Sequence, residues 1–141
     1  MLSLKAHNVL DYLIAAILVL APFLFGFSNV PLANNLFLSL GLILAIYSLF
    51  TKYYYSIAKI IPIGAHMTLD LGLGLLLLVA PFVFNYRDQL TYGSFMVHVI
   101  LGVGTIGFVA LTRTRTEDAK TPEEKFETQS TRRPRQTSPL R

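Results

Sequence analysis

The sequence predicts an all-α membrane protein with four transmembrane helices in two tandem parallel-repeat helical hairpins, followed by a disordered C-terminal tail. Three observations predict this fold class. Of the 141 residues, 53% are hydrophobic and only 14% are charged, whereas soluble domains carry about 25% charged residues. The charges are also uneven, because 13 of the 20 lie after Leu111. Finally, a polar motif in the first apolar segment returns in the third. A body so poor in charge is expected to have lipid as its solvent.

Four apolar segments have the length that a membrane span needs. A bilayer core about 30 Å thick requires about 20 apolar residues in a helix. Segments 9–27, 35–50, 65–84 and 92–111 meet or nearly meet that length. We expect the first segment to remain as a span and not to be cleaved as a signal peptide. Its apolar run continues past Pro22, and no small-residue cleavage site follows.

Basic residues predict that both termini are cytoplasmic. The loop after the first segment has no Lys or Arg, whereas the next loop has Lys52 and Lys59 and the tail has eight basic residues. Positive residues stay on the cytoplasmic side, and aromatic residues favour the two membrane interfaces. At the inner interface we expect Tyr47, Tyr53, Tyr54 and Tyr55. At the outer interface we expect Phe23, Phe25, Phe27, Phe82, Phe84, Tyr86 and Tyr92.

The chain contains an internal repeat with an offset of 59 residues. The first copy has His7, Asp11 and Pro22, and the second has His66, Asp70 and Pro81. Between 7–27 and 66–86, eight of 21 positions are identical. Lengthening the later loop by two residues aligns Gly41 with Gly102 and Thr51 with Thr112. We therefore predict repeat unit 1 at 1–55, repeat unit 2 at 56–112 and a cytoplasmic basic tail at 113–141. Two units of two spans each are expected to be related by a pseudo-two-fold axis along the membrane normal.

This pattern resembles the SPW repeat family of small prokaryotic membrane proteins, which is named for a Ser-Pro-Trp tripeptide. The matching tripeptides here are Ala21-Pro22-Phe23 and Ala80-Pro81-Phe82, so Ala replaces Ser and Phe replaces Trp in both units. The resemblance covers about residues 7–112. It implies a repeat membrane fold in bacteria or archaea, hence a location in the plasma (inner) membrane, and it implies no particular activity.

The repeated His and Asp residues are the strongest candidates for a functional site. His7 and Asp11 are four residues apart and share a helix face, as do His66 and Asp70. An ionisable residue inside a membrane is by default a functional hypothesis. Three interpretations remain open. The pairs are structural, near the first turns of their helices where the dipole favours negative charge; or they are proton relays; or they recognise lipid or a partner.

The remaining candidate residues give weaker indications of a functional site. Pro22 and Pro81 are expected to kink their helices and free the carbonyls of Leu18 and Leu77. We expect His98, alone in the fourth span, to hydrogen-bond across the bundle to Ser39 or to a backbone carbonyl. Three His without Cys predict no haem or zinc shell within one chain. No catalytic, phosphate-binding or cofactor motif is found in the sequence, so no cofactor is predicted.

Small residues are candidates for helix packing, since lipid supplies no hydrophobic drive between helices. They are Gly41, Ala45, Gly72, Gly74, Gly102, Gly104 and Gly107. In the tail, Arg132, Arg133 and Arg135 are candidates for contact with anionic lipid headgroups. Nucleic-acid binding is not expected, because it would need more positive charge and a folded nucleic-acid-binding domain.

Three classes of function follow from these observations. The first is a non-enzymatic integral membrane protein that acts as a scaffold or accessory subunit, as a homo-oligomer or in a larger complex, with no known small-molecule substrate. The second is a small proton or cation transporter that uses the repeated His–Asp pairs. The third, a membrane enzyme, is disfavoured because the sequence presents no nucleophile, metal set or cofactor motif.

Overall fold

A computed structural model describes residues 3–52 and 56–112 of the chain. The predicted tail, with Arg132, Arg133 and Arg135, lies outside the described residues, as do Tyr53, Tyr54 and Tyr55. The described part contains four α-helices: α1 (Leu4–Leu24), α2 (Pro31–Phe50), α3 (Ile63–Val83) and α4 (Tyr92–Leu111). A 3-10 turn, Arg87–Gln89, precedes α4. All four helices are long and apolar enough to cross a membrane, which confirms the predicted fold class of an integral membrane protein.

Local sequence signals set the ends of the helices. α1 begins five residues before the predicted span because the Ser3 hydroxyl accepts a hydrogen bond from the Ala6 amide, which caps the helix. α2 begins with Pro31, whose missing N–H is no loss in the first turn. α1 stops at Leu24, just before Gly26, which has a φ of 69°. At the related place after α3, Asn85 has a φ of 54°, so both units turn through left-handed backbone.

The helices pack as two hairpins, α1 with α2 and α3 with α4, and the hairpins touch through α2 with α3 and α1 with α4. This pattern of contacts is the one that a pseudo-two-fold relation between two repeat units requires. The core between the helices is apolar, and Leu18, Leu77 and Phe37 are fully buried within it.

Three of the seven candidate packing residues bring helix backbones together. A Cβ atom at Gly41 would lie 2.8 Å from the Ala15 carbonyl oxygen, so only Gly permits this approach of α2 to α1. Gly74 and Gly102 do the same for α3 and α4, since a Cβ at Gly102 would lie 2.8 Å from the Gly74 carbonyl oxygen. Ala45 is half-buried against the core.

Gly72, Gly104 and Gly107 do not have the packing role predicted for them within this chain. A Cβ atom at any of the three would meet nothing within 4 Å. Gly72 is exposed on the surface of α3, and the other two are only half-buried on α4. Sequence spacing marks small residues on a helix without showing which of them face a neighbour.

Candidate functional site

The four repeated ionisable residues come together at one end of the bundle, where α1 and α3 begin. His7 and Asp11 lie in the first two turns of α1, and His66 and Asp70 lie at the related positions of α3. All four side chains are almost completely buried, with at most 3% of each residue exposed. We call these four residues the His–Asp cluster.

Each imidazole of the His–Asp cluster contacts the carboxylates of both repeat units. His7 Nε2 lies 3.4 Å from Asp11 Oδ1 and 3.1 Å from Asp70 Oδ2. His66 Nε2 lies 3.2 Å from Asp11 Oδ2 and 3.2 Å from Asp70 Oδ2. The sequence predicted two separate pairs, one per helix. The structure instead unites them in a single four-membered group shared by both repeats.

The Nδ1 atom of each imidazole contacts the hydroxyl of a threonine from the opposite repeat unit. His7 Nδ1 lies 2.8 Å from the Thr112 hydroxyl, and His66 Nδ1 lies 2.7 Å from the Thr51 hydroxyl. Each hydroxyl already donates its one proton to a backbone carbonyl four residues earlier, at 2.6 Å in both cases. The imidazole Nδ1–H must therefore donate to the threonine oxygen. This fixes the ring orientation and turns Nε2 toward the carboxylates.

Tyr47 adds a contact that breaks the symmetry of the two units. Its hydroxyl donates a 2.5 Å hydrogen bond to Asp70 Oδ1. The offset that aligns Thr51 with Thr112 aligns Tyr47 with Phe108, which has no hydroxyl. Asp70 therefore has one oxygen occupied by Tyr47, whereas Asp11 turns one oxygen to each histidine. Tyr47 was expected at the inner membrane interface; its ring is 7% exposed and packs on His66, so it faces the cluster and not the lipid.

Two further polar side chains are buried on α1 and α2. Asn8, beside His7, is 0% exposed, and its amide oxygen and nitrogen form no hydrogen bond in the described part of the chain. The same holds for the Ser48 hydroxyl on α2. Buried amides and hydroxyls are usually satisfied by protein or by water. This end of the bundle is therefore more polar inside than the hydropathy of the helices suggests.

At the other end of the bundle, His98 lies in an aromatic group with Tyr86, Phe27 and Phe37. His98 Nδ1 lies 2.9 Å from the Ser94 carbonyl oxygen of its own helix, and Nε2 lies 3.3 Å from the Tyr86 hydroxyl. Burial raises the pKa of Tyr86 to about 12, so the phenol keeps its proton at neutral pH. Of the two predicted partners, a backbone carbonyl is the observed one, although it belongs to the helix of His98 itself and not to a neighbouring helix. Ser39 is exposed on α2 and is not the partner.

Phe27 and Tyr86, which the sequence places at the outer interface, turn their rings into the bundle and not toward lipid. They are 1% and 0% exposed. They occupy related positions in the two units, and each packs on a ring of the following helix: Phe27 on Phe37, and Tyr86 on His98. The repeat thus places an apolar aromatic pair in one unit and a polar aromatic pair in the other.

Pro22 and Pro81 lie eleven residues beyond the two Asp residues, toward the far end of their helices, and do not join the His–Asp cluster. Their carbonyl oxygens accept hydrogen bonds from the turns that follow, from the amides of Phe27 and Ser28 to Pro22 and from Tyr86 to Pro81. Backbone hydrogen bonds thus join the last turn of each of these helices to the turn that carries Phe27 or Tyr86.

The His–Asp cluster has the donor atoms of a metal site. One ligand atom from each of the four residues can be chosen so that all four lie within 4.8 Å of one another. Three histidines without cysteine predict no zinc shell from the sequence alone. The fold adds the two Asp carboxylates to two of those histidines, because it brings the two His–Asp pairs together.

The family comparison matches a model described as SPW repeat domain over residues 5–112. The chain belongs to the SPW repeat family. In both repeats the Ala-Pro steps, Ala21-Pro22 and Ala80-Pro81, are buried, and the aromatic residues after them, Phe23 and Phe82, are each 60% exposed. No curated protein and no solved structure matches the chain.

Proposed function

We propose that this SPW repeat protein is a non-enzymatic integral membrane protein that binds a metal cation between its two repeat units. One observation carries the proposal: two imidazole nitrogens and two carboxylates converge, at 3.1–3.4 Å, in a buried place inside membrane-spanning helices. In this role the His–Asp cluster binds the cation, and the protein acts as an accessory component of the membrane.

Charge balance supports a cation. Two ionised carboxylates this close together and shielded from water need two positive charges nearby, because isolated buried charges are costly. A divalent ion supplies both at once and leaves the two histidines neutral, with their Nε2 lone pairs directed at the ion. Without a metal, the same balance requires one added proton on each of the two histidines.

The interior beyond the cluster supports binding at one end over conduction through the bundle. One and two turns further along α1 and α3 lie four buried apolar residues, Ile14, Leu18, Leu73 and Leu77, of which Leu18 and Leu77 are 0% exposed. The next imidazole, His98, is hydrogen-bonded at the opposite end. A hydrophilic ion that reaches Asp11 therefore finds no continuation of polar groups on these helices.

The surroundings of the protein form part of the proposal. We place it in the plasma membrane of a prokaryote with both termini, and hence the cluster, at the cytoplasmic side, as the basic loop and tail residues indicate. A homo-oligomer or a larger membrane complex is supported by Gly72, Gly104 and Gly107, where an added Cβ atom would meet nothing within 4 Å and a neighbouring helix has room to approach.

Metal content of the purified protein tests the proposed function. The full chain is isolated in mild detergent from metal-replete cells through a histidine-free affinity tag, and metals per chain are counted by elemental analysis. We expect about one metal ion per chain for the wild type and for Asp88→Asn, whose side chain is exposed in the loop before α4. We expect no stoichiometric metal for Asp11→Asn with Asp70→Asn. A folded wild type that carries no metal and takes up none when dialysed against Zn²⁺, Mn²⁺ or Mg²⁺ would contradict the proposal.

The second candidate is transport of protons or cations, favoured by the repetition of His–Asp pairs within membrane spans. It requires a route across the bilayer that the buried leucines oppose in one chain. Flux measurements in proteoliposomes separate the two candidates. We expect no proton or metal flux above that of empty vesicles, whereas flux that Asp11→Asn abolishes would favour the transporter.

A further inference from the structure

We propose that the His–Asp cluster is a tetrahedral site for a Zn²⁺-class ion, bound by His7 and His66 through Nε2 and by one oxygen each of Asp11 and Asp70. This rests on the proposed function and makes it specific, because it names the class of metal and the ligand atoms. Four features of the cluster support this assignment: the donor chemistry, the donor spacing, the groups behind the ligands and the inequality of the two carboxylates.

The first feature is the chemistry of the donors. Imidazole nitrogen suits the late first-row divalent ions, whereas Mg²⁺ and Ca²⁺ prefer sites built from oxygen. Half of the donors here are imidazole, and the chain has no thiolate that would favour softer ions. The two carboxylates bring two negative charges, which a divalent ion neutralises.

The second feature is the spacing of the donor atoms. Zn²⁺ bonds of about 2.0–2.1 Å in a tetrahedron place neighbouring ligand atoms about 3.3 Å apart. A set with one oxygen from each carboxylate, Oδ2 of both Asp11 and Asp70, includes three imidazole–carboxylate separations of 3.1, 3.2 and 3.2 Å, which match those edges. The 3.4 Å separation from His7 Nε2 is to the other oxygen of Asp11, Oδ1. One ligand atom per residue can be chosen so that all four lie within 4.8 Å of one another, so an inward movement of side chains closes the tetrahedron.

The third feature is the set of groups behind the ligands. Metal-binding histidines characteristically donate the other ring N–H to an oxygen, which fixes the ring and the tautomer. Both histidines do so here, His7 to Thr112 and His66 to Thr51. Each threonine is in turn held by a backbone carbonyl. The imidazoles are thus oriented before an ion arrives.

The fourth feature is the inequality of the two carboxylates. Tyr47 occupies Asp70 Oδ1 and leaves Oδ2 as the atom that faces both histidines. Asp70 is therefore arranged to bind through one oxygen. Asp11 turns a different oxygen to each histidine, so either of its oxygens is placed to serve as the fourth ligand.

Cobalt spectroscopy tests the metal class and the geometry together. The metal-free full chain, in detergent and without a histidine tag, is titrated with Co²⁺. We expect the intense visible bands of tetrahedral Co²⁺ to saturate at one ion per chain, to disappear when one equivalent of Zn²⁺ is added, and to persist in excess Mg²⁺ or Ca²⁺. Weak bands typical of octahedral Co²⁺, or displacement by Mg²⁺, would overturn this inference and leave cation binding in place. No binding of any ion by a folded chain would overturn the proposed function as well.

Variants of the threonines separate a metal role from a structural one. We expect Thr51→Val and Thr112→Val to retain the tetrahedral Co²⁺ spectrum and to lose about 10–100-fold in affinity, the usual effect of removing a group behind a ligand. The matched control is Thr68→Val, because the Thr68 hydroxyl makes the same kind of bond to a carbonyl four residues earlier but is exposed on α3. His7→Ala or His66→Ala should abolish the spectrum. If those chains lose helicity, the threonine variants decide: unchanged Co²⁺ affinity in both would overturn the inference.

Discussion

Tyr47 donates a 2.5 Å hydrogen bond to Asp70, and this bond joins the second helix of one repeat unit to the first helix of the other. Both residues are buried. The related pair in the other direction, Phe108 and Asp11, has no hydroxyl with which to make such a bond. The two repeat units therefore share one arrangement of helices but differ in the side chains that contact the His–Asp cluster.

Loss of the Tyr47 hydroxyl should destabilise the bundle. Tyr47→Phe leaves one oxygen of a buried carboxylate without its donor, at a cost of about 1–2 kcal/mol. Reversible unfolding in mixed micelles measures the change. Tyr92→Phe serves as the control, because that ring is 74% exposed at the start of α4. Equal stability of the two variants would show that the Tyr47 bond is not formed in solution.

Glycines at helix contacts and glycines on the surface should respond to alanine in opposite directions. Gly102→Ala places a methyl group 2.8 Å from the Gly74 carbonyl oxygen. Separating α3 from α4 to relieve that contact should cost about 1–3 kcal/mol. Gly72→Ala meets nothing within 4 Å and should be neutral or stabilising by up to about 1 kcal/mol through helix propensity. Thermal unfolding of the two variants in detergent checks the sign of each change. A stable Gly102→Ala would contradict the close contact.

The polar aromatic pair should be replaceable by the apolar pair of the other unit. Tyr86→Phe removes the donor that faces His98 Nε2 and should cost about 1 kcal/mol. Adding His98→Phe recreates the Phe27–Phe37 arrangement and should recover most of that loss. A double-mutant cycle from unfolding free energies measures the coupling. Additive losses would mean that Tyr86 and His98 do not interact.

Single cysteines can report the orientation of the chain, since the native sequence contains none. We expect Asn29→Cys and Asp88→Cys, in the first and third loops, to react with a membrane-impermeant thiol reagent on intact cells. Ile57→Cys, 83% exposed in the second loop, should react only after the cells are opened. The reverse pattern would place both termini outside and the His–Asp cluster with them.

The sequence predicts the helices well because length and hydropathy are local properties, and it predicts the repeat because His, Asp and Pro return at fixed spacing. It does not show that His7 meets Asp70, since contact between helices depends on how the two hairpins face each other. Thr51 and Thr112 were aligned in the repeat, and this was a usable signal for a paired role. Tyr47 gave no such signal, because aromatic residues near helix ends are common at membrane interfaces.

Each histidine is oriented by a threonine of the other repeat unit, and this has a consequence for how the protein arose. His7 is hydrogen-bonded to Thr112, and His66 to Thr51. Neither repeat unit therefore contains the threonine that orients its own histidine. An ancestral chain with a single half could have formed these contacts only as a pair of identical copies. Fusion of two such genes would have made the arrangement permanent, and it would then have allowed the halves to differ, as they do at Tyr47 and Phe108.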